Sequence, residues 1–95
     1  MGKVDCFELS GLKMTFNSSD HLPEHFHVRK PGSWEIRVFF LLCTEDQLVY
    51  EVKWGGDPAR RDKQSILEGV LSHRVELLTE WETKVLQNTR VRHGQ

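Results

Sequence analysis

No stretch of this chain is long and apolar enough to cross a bilayer as a helix. The longest strongly apolar run is Val38 to Cys43, well short of the ~20 residues such a helix needs. The start, Met1-Gly2-Lys3-Val4-Asp5, lacks the apolar core of a signal peptide. Together these predict a cytoplasmic protein with no membrane partner. Cysteine is scarce, with Cys6 and Cys43 only and no C-x-x-C pair. Such usage excludes a disulfide framework and predicts two thiols in a reducing compartment. Charge excess is also missing: the net charge is −1, so no general attraction to nucleic acid or to an anionic membrane is expected. Internal repeats and low-complexity segments are absent, which removes solenoids and linkers from consideration.

What is present fits one globular domain over residues 1–95, with 38% hydrophobic and 28% charged residues. Period-two alternation marks strands. Leu12, Met14 and Phe16 share one face of a strand at about 12–17. A second strand, 25–30, turns Phe26 and Val28 one way and His25, His27 and Arg29 the other. Pro31-Gly32 suits a tight turn. The third strand, 34–42, places Trp34, Ile36, Val38 and Phe40 inward, and its extra apolar residues Phe39 and Leu41 suggest cover on both faces. After Thr44-Glu45-Asp46, a fourth strand at 47–54 directs Leu48, Tyr50, Val52 and Trp54 inward.

Beyond Gly55-Gly56 the period changes. Asp57 reads as an N-cap and Pro58 as the first helical residue. Ile66, Leu67, Val70, Leu71, Leu77, Leu78, Trp81 and Val85 then recur every three or four residues. A continuous helix over 58–86 spans roughly 43 Å, far longer than a strand of the sheet, so a bend near Gly69 to Ser72 or an overhang is expected. Residues 88–95 read as a frayed basic tail. The expected fold is α+β: an antiparallel β-meander of three to four strands with one face on a long C-terminal helix.

The sheet's other face is left to solvent or a partner. Alternation assigns it Lys13, Thr15, His25, His27, Arg29, Glu35, Arg37, Glu51 and Lys53. His25 and His27 stand ~6.5–7 Å apart on one side of a strand, a spacing that suits two ligands of one ion or a paired acid and base. A metal site, for zinc or another divalent ion, needs a third donor, for which His21, Glu35, Cys43 or His73 are the candidates. No cofactor at all is the simpler expectation. Metal-independent RNA cleavage instead uses the His pair as acid and base, with Arg29 or Arg37 stabilising phosphorane charge. A histidine-triad hydrolase is disfavoured because Arg29 stands where a third alternating His is required. Binding without catalysis, to RNA, DNA or a partner protein, draws on Lys30, Lys53, Arg60 and Arg61. A homodimer is compatible with any of these. The plainest alternative has both imidazoles tying the loop 17–24 to the sheet.

Pro23-Glu24-His25-Phe26-His27-Val28, preceded by Asp20-His21, resembles the P-P-H-F-H-V element of a family of short bacterial proteins described as a domain of unknown function. Leu77-Leu78-Thr79-Glu80-Trp81 resembles its C-terminal helix. The chain departs from the motif at Glu24, where a second proline is usual, and has a longer stretch between Trp34 and the helix than short members do. The resemblance implies the same α+β fold, a partner protein encoded nearby and a toxin–antitoxin-like operon setting. It implies no particular reaction. The function expected from residues and resemblance together is that of a small accessory or toxin–antitoxin-type protein acting by binding.

Overall fold

The computed structural model describes residues 2–17 and 20–86. Five strands form one antiparallel sheet in the order β1-β2-β3-β4-β5: β1 Gly2–Lys3, β2 Lys13–Phe16, β3 Phe26–Lys30, β4 Trp34–Val38 and β5 Tyr50–Gly55. The meander is as expected, but its count is five rather than three to four. The extra strand is β1, which pairs Gly2 with Phe16 and Lys3 with Thr15. Two residues are too few to show a period. Helices α1 Arg60–Ser72 and α2 Arg74–Trp81 follow, and a π-helical turn spans Glu82–Leu86. No helix among the described residues is long and apolar enough to cross a membrane. The expected tail at 88–95 lies outside the described residues.

The alternating residues of β2 to β4 close on the helical stripe. Phe16, Phe26, Val28, Ile36 and Val38 are fully buried, as are Ile66, Val70, Leu77 and Trp81 from the helices. At ~1.5–3 kcal/mol for each buried large apolar side chain, this layer is the main source of stability. Trp34 is buried with it.

Two strand boundaries and one register differ from the sequence reading. The long strand at 34–42 ends at Val38, because Leu42 N–H bonds the Phe39 carbonyl at 2.9 Å and turns the chain. Phe40 and Cys43 then pack into the core while Leu42 is exposed. The fourth strand begins at Tyr50 and carries a register irregularity at Glu35/Ile36, where Glu35 faces Trp54 and Ile36 faces Val52. The extra residue, Lys53, is a bulge that breaks strict alternation. Trp54 therefore lies on the polar face, 43% exposed, with Nε1 donating to Glu35 Oε1 at 3.2 Å. Val52, also expected inward, is 42% exposed at the margin of the sheet.

The long helix is broken rather than continuous. His73, at φ −128° and ψ 25°, separates α1 from α2, just beyond the expected bend. Its N–H reaches the Gly69 and Val70 carbonyls, and its Nδ1 donates to Gly69 O at 2.9 Å. The ring stacks on Phe7 at 5.0 Å. Phe7 in turn lies so close to Gly69 that any Cβ there would collide with it. Asp57 does not cap α1: Ala59 occupies that position without a side-chain bond, and Asp57 accepts from Tyr50 Oη and from Lys63 Nζ instead.

The N-terminal segment is fastened to α2. Glu80 accepts from the backbone N–H of Asp5 and of Cys6, both at 2.8 Å. Lys84 binds the same carboxylate at 2.8 Å, Asp5 at 2.7 Å and the Lys3 carbonyl. Burial and the neighbouring Glu80 push the Cys6 thiol up to about 12.

Candidate functional site: a histidine–aspartate cluster

His25 and His27 flank Phe26 where the chain enters β3. Phe26 points into the core, so alternation sends the two imidazoles to the other side. Their ring centroids are 5.2 Å apart. Both are buried, at 6% and 4% exposure, because the loop before them folds back across the sheet. That loop is locked by reciprocal bonds, Asp20 N–H to Asn17 O at 3.0 Å and Asn17 N–H to Asp20 Oδ2 at 2.9 Å. The lock aims the Asp20 carboxylate at the two rings.

Asp20 Oδ1 is 3.0 Å from His27 Nε2 and 3.5 Å from His25 Nε2. One ligating atom from each of the three residues lies within 4.8 Å of the others. Donors bound to one ion at 2.0–2.2 Å are separated by roughly 3–3.5 Å, which the two aspartate–histidine distances match. All three side chains are under a tenth exposed.

Hydrogen bonding fixes the first ring. His25 Nδ1 lies 2.8 Å from the Pro23 carbonyl, which can only accept, so Nδ1 carries a proton and Nε2 is the nitrogen that faces Asp20. A metal-binding histidine is held by this kind of carbonyl contact behind the ring. Phe39 and Trp81, at 5.6 and 5.7 Å between centroids, wall in the rest of the ring.

The second ring is caught between two carboxylates. His27 Nε2 is 3.0 and 3.2 Å from the Asp20 oxygens, with the Asn17 amide nitrogen at 3.3 Å. Its Nδ1 is 3.5 Å from Glu35 Oε2 and has no hydrogen-bond partner. A neutral imidazole has a single N–H. Placed on Nε2 it serves Asp20 and leaves a buried bare nitrogen facing Glu35; placed on Nδ1 it leaves a lone pair against the Asp20 carboxylate. In either neutral form one acceptor faces another in a dry place, and a positive charge at His27, whether a second ring proton or an ion on Nε2, relieves the arrangement.

The cluster forms part of the wall of a pocket of about 470 Å³, lined also by Asn17, His21, Arg37, Phe39, Glu51 and Lys53, among others. Arg37 stands opposite His27 on β4 and opposite Glu51 on β5, and its Nη1 donates to Glu51 at 2.6 Å. Lys53 reaches Glu35 at 3.4 Å.

The other sequence candidates fall in different places. His21 is an exposed rim residue of the pocket, outside the three-donor cluster. Arg29 and Lys30 lie further along β3, exposed, with Lys30 near Asp62 at 3.6 Å. Arg60 and Arg61 open α1, whose buried residues pack on the sheet's other face. Cys43 is in the core, accepting from Val49 N–H, and His73 stacks on Phe7; neither is near enough to join the histidine pair. Asp20, the residue that completes the cluster, is not among the sequence candidates. Its only trace there is its place just ahead of the P-E-H-F-H-V run.

The sequence profile of a family described as domain of unknown function (DUF4160) matches residues 11–82, a span that includes all three clustered residues. No curated protein and no solved structure matches the chain.

Proposed function

The chain belongs to the domain-of-unknown-function family DUF4160, and from that premise we propose that it is a divalent-metal-binding domain whose ligands are Asp20 and the Nε2 atoms of His25 and His27. The observation that carries the reading is the His27 ring held between the Asp20 and Glu35 carboxylates, with Nδ1 buried and unpaired. A metal at Nε2 satisfies Asp20 and both rings. It also frees the His27 proton for Nδ1, where Glu35 accepts it. Two imidazoles and one carboxylate suit zinc or another first-row divalent ion. Three protein donors leave at least one coordination position for a ligand from the pocket.

This geometry favours metal binding over metal-independent RNA cleavage, because both Nε2 atoms converge on Asp20 and His25 Nδ1 is committed to Pro23. The working setting in this reading is the bacterial cytoplasm, within a toxin–antitoxin-like operon. A second reading, capture of a partner protein or RNA on the polar face, is supported by Trp54, 43% exposed and bonded through its indole N–H to Glu35.

Titration of metal-free protein with Zn²⁺ against a chromophoric chelator tests the first reading. One equivalent is expected to bind, with affinity reduced about 100-fold or more by His27→Ala or Asp20→Asn. Failure to bind, or equal binding by the wild type and both variants, overturns it.

A further inference from the structure

The pocket beside the cluster has a charge pattern that depends on the ion. Asp20 and Glu51 balance Arg37 and Lys53 along its walls, and Glu35 adds a negative charge behind His27. The metal-free pocket is therefore slightly negative and repels anions, whereas a divalent ion makes it positive and supplies an open coordination position. Arg37 is the strand neighbour of His27 on the same face. One nitrogen of its guanidinium holds Glu51, and a planar fork of five N–H donors has others to offer.

We infer that the metal-loaded pocket binds a small oxyanion, a phosphate or carboxylate group, with one oxygen on the ion and another on the Arg37 guanidinium. This deepens the metal-binding reading and rests on it. Binding is strictly metal-dependent, because without the ion the only attraction comes from two cations that already have carboxylate partners. The volume, about 470 Å³, is in the range of small-molecule sites. Arg37 acts as an anion clamp rather than as a metal ligand, so its loss separates the two events.

Co²⁺-loaded protein provides the test, since its visible absorption bands report the ligands of the ion directly. Inorganic phosphate and acetate are titrated separately into the wild type, Arg37→Ala and Arg37→Lys. A saturable band shift is expected in the wild type, weakened about ten-fold or more by Arg37→Ala and partly restored by Arg37→Lys, with Co²⁺ still bound throughout. Tighter binding of phosphate assigns the site to a phosphoryl group, and tighter binding of acetate assigns it to a carboxylate. Bound Co²⁺ with no shift from either anion, or a shift indifferent to Arg37, overturns the anion site and leaves the metal site standing. No bound Co²⁺ overturns both.

Discussion

Glu35 faces the ring of His27 across 3.5 Å and, from its other oxygen, accepts the indole N–H of Trp54 at 3.2 Å. A buried imidazole nitrogen is thus linked through one carboxylate to an aromatic ring on the open face. With a metal on Nε2, Glu35 is the acceptor that orients His27 and raises its donor strength. Glu35→Ala is expected to weaken Zn²⁺ binding about 10- to 100-fold without abolishing it. A chelator competition assay measures this, and an unchanged affinity shows that Glu35 does not orient the ring.

Glu80 gives a pH signature. Burial, the largest single influence, pushes its carboxyl up, but Lys84 and the N–H groups of Asp5 and Cys6 together hold it below its ordinary 4.5. A carboxyl lowered by folding contributes stability above its unfolded-state value and loses it as pH falls through the folded one. Glu80→Ala is expected to cost roughly 1–3 kcal/mol near neutral pH. The gap to the wild type narrows below about pH 4.5. Urea unfolding at several pH values reads it, and a gap that stays constant into acid contradicts the clamp.

At Gly69 two effects compete. Alanine favours a helix over glycine by about 1 kcal/mol, but its Cβ collides with the Phe7 ring, and overpacking of this kind costs typically ~1–3 kcal/mol. Phe7 is braced edge-on against Phe26 and flat against His73, so the collision is expected to win. Gly69→Ala should lower the melting temperature in the wild type and raise it, or leave it unchanged, in a Phe7→Ala background. Equal effects in both backgrounds rule out the contact as the cause.

The cysteines are expected to be sluggish. Burial and Glu80 hold the Cys6 thiol at about 12, and burial raises Cys43 as well. Since the thiolate is the reactive form, iodoacetamide at pH 7.5 should modify both far more slowly in the native protein than in urea. Mass spectrometry follows each site, and rapid native labelling of Cys6 contradicts its placement beside Glu80.

Much of the meander is legible from alternation, because Phe16, Phe26, Val28, Ile36 and Val38 each obey it. Legibility fails where the chain stops being periodic. β1 is two residues long, the run at Phe39 to Leu42 turns inside an apolar stretch, and one bulge residue places Trp54 opposite Glu35. The break itself is expected near Gly69 to Ser72 from the length of the helical stretch, but its place at His73, which stacks on Phe7, is not recorded by helical spacing. The candidate site divides in the same way. Local alternation pairs His25 with His27, whereas Asp20 joins them only when a loop folds back onto the strand, and a carboxylate in a polar loop carries no sequence signal of that event.

The bulge at Lys53 also bears on how the sheet ends. An open strand edge is a template on which further strands can add. Here one margin is β1, only two residues long, and the other is β5, kinked by an unpaired residue and bearing Glu51 and Lys53. Among the described residues, neither margin offers a long, flat, uncharged run of free amide groups. Both edges of the described sheet therefore carry features that disfavour the addition of a further strand.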